Sequence, residues 1–484
     1  MGTTNRPGSR APKRRLLGLL LGAALAVAGV IAPAQPAAAD SFDGLELELS
    51  NGPWPTSHVQ GIAVDAEKGF IYYSFTTLLV KTDLQGNVVG TVGGFTGHLG
   101  DLDINPADGR VYGSLEYKAA EAFYIAIFDV DKIDEIGMDA QNSHVVSTVH
   151  LQEVVDDYAA DMDGDGDFDG NIANTPDHRY GSSGIDGTAF GPKFGRADGK
   201  QYLTVAYGIY KNVDRVDNDH QVLLQYDTSK WAALERPLTE ADPHRVGPKK
   251  VDGKYFVFTG NTTYGVQNLE YDAYLQRWWM GVYKGTKPQY PNYLMFAVDA
   301  KDKPKMQTLT GLGGEKGLLL PLADDGLQDP ATGIRGWNQD ASVGIQSLDN
   351  GLYYIAKQTK SAGGQGSVIT LKSWTGDANA PFATVTADFE YPWQRDAVYT
   401  AGDRVPFDGS TWEASWWTRG QQPGDPNGPW QEIVTAPDGA AVWTPSRIFT
   451  AGDVVVHGSQ RYSAQWWTRN QEPGGQNGPW TLIG

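Results

Sequence analysis

The stretch Ser57-His-Val-Gln-Gly-Ile-Ala-Val-Asp65 decides how most of the chain is read. It is a short apolar run, opened by polar residues and closed by an acid, as expected of a single β-strand. Related stretches follow at 97–105 (GHLGDLDIN), 183–191 (SGIDGTAFG), 264–272 (YGVQNLEYD) and 343–349 (VGIQSLD). A second, aromatic run lies after most copies, as in Phe70-Ile-Tyr-Tyr-Ser74 and Leu352-Tyr-Tyr-Ile-Ala356. A third usually ends in aspartate, at Asp83, Asp131, Asp227 and Asp299. Apart from Leu151–Asp157, no stretch between 40 and 385 carries a sustained helical period.

Five like units of short strands predict an all-β fold for residues 40–385: a five-bladed β-propeller, each motif forming the inner strand of a blade. A β-sandwich, the alternative, would not require the repetition. Leu45–Leu49 is placed to complete the last blade and close the ring. Aligned, the motifs put Gln60, Gly100, Asp186, Gln267 and Gln346 at one position of the inner strands, which converge on the central channel. His58 and His98 come two residues earlier, and Asp101, Asp103 and Glu270 lie nearby. Amides and imidazoles can hold sugar hydroxyls, and carboxylates can do acid–base work. Asp186, Glu270 and Asp101 are therefore the expected catalytic carboxylates. His58, Gln60, His98, Gln267 and Gln346 are the expected substrate ligands. Each of these groups could equally serve as a hydrogen-bond partner between blades.

Between the second and third motifs lies Asp161-Met-Asp-Gly-Asp-Gly-Asp-Phe-Asp-Gly-Asn171. Asp161, Asp163, Asp165 and Asp167 alternate as ligands of a hard cation do, with Gly166 at the turn, so a structural Ca2+ is expected. Ile172 stands where an EF-hand has its bidentate glutamate, so the likeness stops at the ligands. Without a cation this would be a self-repelling acidic loop.

The tail repeats itself at an offset of 50, giving modules at 386–434 and 440–484. Trp393 corresponds to Trp443, Tyr399 to Phe449, Trp412 to Tyr462, and Trp416-Trp417-Thr418-Arg419 to Trp466-Trp467-Thr468-Arg469. Asn427-Gly-Pro-Trp430 returns as Asn477-Gly-Pro-Trp480. Modules this small bury little core. Successive side chains of a strand point to opposite faces, so one ring of each Trp-Trp pair is expected to pack inward and the other to face water, ready to stack on a sugar.

This pattern resembles the family 5/12 carbohydrate-binding modules, or type-3 chitin-binding domains. The resemblance implies two small β-sheet modules that bind chitin or a related β-linked polysaccharide. It also implies sugar-facing aromatics at Trp412 with one of Trp416 and Trp417, and at Tyr462 with one of Trp466 and Trp467.

The N-terminus has the layout of an export signal. Arg6, Arg10, Lys13, Arg14 and Arg15 precede an apolar run, and Ala37-Ala38-Ala39 offers a cleavage site. Losing those five bases takes the net charge from −19 to −24. Such an acidic surface argues against nucleic acid or an anionic membrane as partner. No cysteine is present, so no disulfide contributes to stability. The expected protein is extracellular, monomeric and chitin-anchored, and its propeller resembles in architecture those of several glycosidase families. A glycoside hydrolase is the leading expectation. A lyase using His98 or Tyr264, or a multivalent lectin, would keep the same polar ring.

Overall fold

The computed structural model describes residues 41–484, except 43, 171–173, 396 and 408. The expected export signal and Ile172 lie outside the described residues. Five sheets follow one another along the chain, and each starts from one of the five motifs. The inner strands are Val59–Asp65, His98–Ile104, Ser182–Pro192, Thr263–Asp272 and Ile345–Ser347, in blades 1 to 5. They neighbour one another in that order, and the fifth returns to the first. The third blade is widened by Lys316–Leu320, which runs parallel to Gly253–Phe258. The ring is closed by Glu48–Trp54, antiparallel to Gly364–Trp374, with Leu49 opposite Ile369. Closure thus comes from the expected end of the chain, but the strand starts later than Leu45 and runs further. The helical stretch is one short helix, Gln152–Tyr158.

Apolar side chains are layered between neighbouring blades rather than gathered in one core. Ala63, Tyr72 and Leu79 of the first blade meet Leu99, Leu115 and Tyr124 of the second. The third and fourth are joined through Ala189, Leu223, Val266 and Trp278, and the fifth and first through Leu352, Ile369, Val59 and Ile71. Every blade face is therefore removed from water by its neighbour, the dominant favourable contribution to such a fold.

Nearer the axis the blades are tied by side chains. Asp101 Oδ2 accepts from the backbone N–H of Thr188 at 3.0 Å and of Leu269 at 2.8 Å, so one carboxyl joins three blades. Asp103 accepts from Phe190 N–H. Glu270 Oε1 accepts from Ser347 N–H and Gln346 Nε2, each at 2.7 Å, while Gln346 Oε1 accepts from Val64 N–H at 3.1 Å. These residues are buried. Asp101→Ala would leave two buried N–H groups without acceptors, at about 1–3 kcal/mol each. It is expected to lower the urea midpoint markedly, whereas Asp101→Asn, which retains an acceptor oxygen, costs much less. Equal midpoints for Asp101→Ala and the parent would refute this stapling role.

The two tail modules share a three-strand plan. Arg404–Phe407, Ser410–Ala414 and Trp430–Glu432 pair in that order, and Val454–His457, Gln460–Ala464 and Trp480–Leu482 repeat it fifty residues on.

Candidate functional site

In four blades the inner strand carries a β-bulge, and each bulge falls on the aligned motif position. The register slips between Val59 and Gly61, Leu99 and Leu102, Ile185 and Thr188, and Val266 and Asn268. A bulge leaves one residue out of the ladder and re-aims its side chain. The excused residues include Gln60, Asp186 and Gln267. Together with neighbouring groups, Asp186 and Gln267 line a cavity of about 580 Å³ at the start of the inner strands of blades 1 to 4. That volume suits a small ligand or one or two sugar rings.

At the base of the cavity, His98 Nδ1 lies 3.7 Å from Glu116 Oε1 and 3.7 Å from Asp186 Oδ1. Those two oxygens therefore cannot be more than twice that distance apart. The other imidazole nitrogen, Nε2, accepts from the Gln60 amide at 2.9 Å, which leaves Nδ1 to carry the proton between the carboxylates. Gln267 Nε2 donates to Asp186 Oδ2 at 2.9 Å and to Tyr264 O at 2.7 Å. Glu116 receives the Lys118 ammonium at 2.9 Å and the Ile185 N–H at 3.1 Å. A Cβ at residue 184 would sit 2.0 Å from Glu116 Oε2, and the φ there is +118°, so only glycine lets the carboxylate reach that N–H.

The two acids have different surroundings. Burial, followed by the charge of Glu116, pushes the Asp186 carboxyl well above the ordinary range, against the opposing pull of Lys118 and Gln267. Burial also opposes the charge on Lys118, but the adjacent Glu116 holds its pKa above normal. Burial lowers both His98 and His58, favouring neutral imidazoles. At the rim, Tyr264 is 47% exposed and held at φ +63°. That conformation is costly for an aromatic residue and turns it out beside the cavity.

The cavity brings together Asp186, His58, His98 and Gln267 from the expected set. Gln60 stands behind His98. Asp101, Glu270 and Gln346 are not among its lining residues; they are the buried interblade staples, which corrects their expected catalytic and substrate roles. Glu116 and Lys118 were missed because they belong to the second strand of their blade, Val111–Tyr117, and the turn after it, outside the repeated motif.

In the acidic loop, the carboxylates of Asp161, Asp163 and Asp165 converge within 4.8 Å of one another, and Asp167 stands outside this group. Asp161 shapes the loop by accepting from the N–H groups of Gly164 and Gly166. All three carboxylates remain exposed, and such a donor set fits a hard, oxygen-loving cation.

In the tail, both members of each tryptophan pair face outward. Trp416 and Trp417 are 44% and 62% exposed, and Trp466 and Trp467 are 53% and 60% exposed. They lie just after the strands Ser410–Ala414 and Gln460–Ala464 and outside any strand, so strand alternation does not apply to them. Trp412 and Tyr462, expected to face sugar, are only 8% exposed. They pack with Tyr399 and Trp430, and with Phe449 and Trp480, as the centres of the two small cores.

Residues 392–431 match carbohydrate-binding module family 5/12. The chain is 38% identical over 58 residues to chitinase A of Pseudoalteromonas piscicida, and 44% identical over 45 residues to endoglucanase A of Evansella cellulosilytica. These matches cover 12% and 9% of this chain, and the chain spans only 7% and 9% of the length of those proteins. The module supports binding of chitin or a related polysaccharide. Among solved structures, a Dos1 propeller is 13% identical over 68% of this chain and 69% of its own, with a TM-score of 0.28. Sqt1 of Saccharomyces cerevisiae is 11% identical over 65% and 59%, with a TM-score of 0.26. The ring itself is established by this chain's own sheet order.

Proposed function

We propose that this chain is an exported glycoside hydrolase, held on chitin or a related polysaccharide by its tail and cutting a glycan in the propeller cavity. The observation that carries this reading is the convergence of Asp186 and Glu116 on one imidazole nitrogen at the base of a cavity. Glycosidases use two carboxyl groups about 5–10 Å apart, one protonated and one charged. Asp186 would donate its proton to the glycosidic oxygen. Glu116, beside Lys118, would serve as nucleophile or base. Gln267 orients Asp186, and Tyr264 offers a stacking face for a sugar ring. Reducing-sugar release from chitin, chitosan and other cell-wall glycans tests the proposal. If none is cut while the cavity still binds oligosaccharide, the site is a lectin site.

The second tail copy, with the same strands and exposed tryptophans, is proposed to bind as the first does. Asp161, Asp163 and Asp165 are proposed to hold a structural Ca2+. A site that binds only the folded chain adds about 2.7 kcal/mol at a hundredfold excess over Kd. Calcium should therefore raise the propeller's melting temperature, and Asp163→Ala should remove the increment. A melting curve indifferent to chelator would leave the loop without a metal role. Among the described residues no helix is long and apolar enough to cross a membrane.

A further inference from the structure

The two tail modules are joined by contacts that an independent pair would not need. Arg469 belongs to the second module, yet its Nη2 donates to Gly428 O at 2.6 Å and to Trp430 O at 3.3 Å in the first. Its Nε donates to Ser446 O at 2.8 Å. The same guanidinium lies 5.6 Å from the centre of the Trp416 ring. Glu432 N–H donates to Ser446 Oγ at 2.9 Å, Thr444 Oγ1 to Glu432 O at 3.1 Å, and Ile448 N–H to Gln431 Oε1 at 2.7 Å. The connection between them is itself bonded: Val442 N–H donates to Val434 O at 2.9 Å, and Thr435 bridges Ala441. Flexible linkers carry no such bonds.

We infer that the two modules form one rigid aromatic platform, and that its ligand is a crystalline chitin face that touches both tryptophan pairs at once. This rests on the proposed sugar binding by both copies. Trp467 is two residues before Arg469, so their Cα atoms are at most about 7 Å apart. Arg469 itself lies against Trp416. One arginine thus links the backbone beside the Trp466-Trp467 pair to the Trp416 ring of the other pair. With the spacing fixed, the second contact is intramolecular and costs no search through linker conformations.

The test uses the full chain, chitin particles and the N-acetylglucosamine trimer, which is short enough for one tryptophan pair. Arg469→Ala is expected to weaken particle binding at least tenfold while trimer affinity stays within twofold. Because that variant could disturb folding, a second one keeps Arg469 and carries a flexible Gly-Ser spacer inserted after Ile433; it should show the same split. Proteolysis within 433–442 should be slow in the parent and fast in both variants. Unchanged particle binding in a folded variant overturns the platform, because independent modules then suffice. A parallel fall in trimer affinity also overturns it, by assigning Arg469 to a single sugar site. A parent with protease-resistant junction that binds no particles defeats the underlying chitin reading, and the platform's ligand with it.

Discussion

Replacing Asp186 by asparagine is expected to lower glycan cleavage a hundredfold or more, with chitin retention by the tail unchanged. The substitution keeps the side-chain size and its contact with Gln267 but removes the transferable proton. Loss of a general acid costs about 10²–10⁴ in rate. Burial and the neighbouring Glu116 raise the Asp186 pKa, so the folded protein holds this proton to higher pH than the unfolded chain does. The alkaline limb of the rate therefore falls as pH climbs through the raised pKa, and this group's share of stability, full below the ordinary carboxyl range, is lost over the window up to that raised pKa. In Asp186→Asn that alkaline limb should vanish along with the activity. Glu116→Gln removes the partner carboxylate and the Lys118 ion pair, and a loss of similar size is expected. Parental turnover by both variants on a verified substrate would end the catalytic assignment.

The second large effect lies in the tail. Changing Trp416, Trp417, Trp466 and Trp467 together to alanine is expected to abolish retention on chitin particles. All four rings are exposed, so their removal leaves the small cores around Trp412 and Tyr462 intact. The variant should keep the parental melting curve, which separates lost stacking from lost fold. Changing one pair alone should reduce retention well beyond twofold, since the remaining pair loses its partner's effective concentration. Binding by the folded quadruple variant would show that sugar is held elsewhere.

The ring could be read from the sequence because each inner strand repeats its pattern of apolar residues, glycine and polar groups, and that repetition is a direct imprint of five equivalent packing layers. The tail modules were legible for the same reason, a second copy at constant offset, but one ring of each tryptophan pair was expected inside and both are exposed. Roles within the inner strands were not legible. Asp186 and Glu270 are both acids on inner strands, Asp186 at the aligned position and Glu270 three residues beyond it, yet the bulge at Asp186 turns it into the cavity, while Glu270 lies beyond its blade's bulge and accepts from the next blade's backbone. The aligned position marks where four of the bulges fall, but that a bulge forms there depends on pairing with the next strand of the blade. Glu116 lay beyond reach because only folding brings the end of a second strand beneath His98. Trp412 was misjudged because a buried ring and a stacking ring have the same one-dimensional signature.

The strand that shuts the ring has a bearing on how the molecule comes into being. Glu48 pairs opposite Thr370, so a segment synthesised early must wait for one of the last propeller strands to emerge. Until then the fifth blade lacks its outer edge and the first blade lacks a covered face toward the fifth. Each partial chain is an open fan with an unpaired strand margin, a shape that invites association with other chains. The long loop that closure finally ties off makes this a late and slow event. A chain emerging slowly and interrupted before residue 364 should therefore aggregate, while one released after 374 can seal itself.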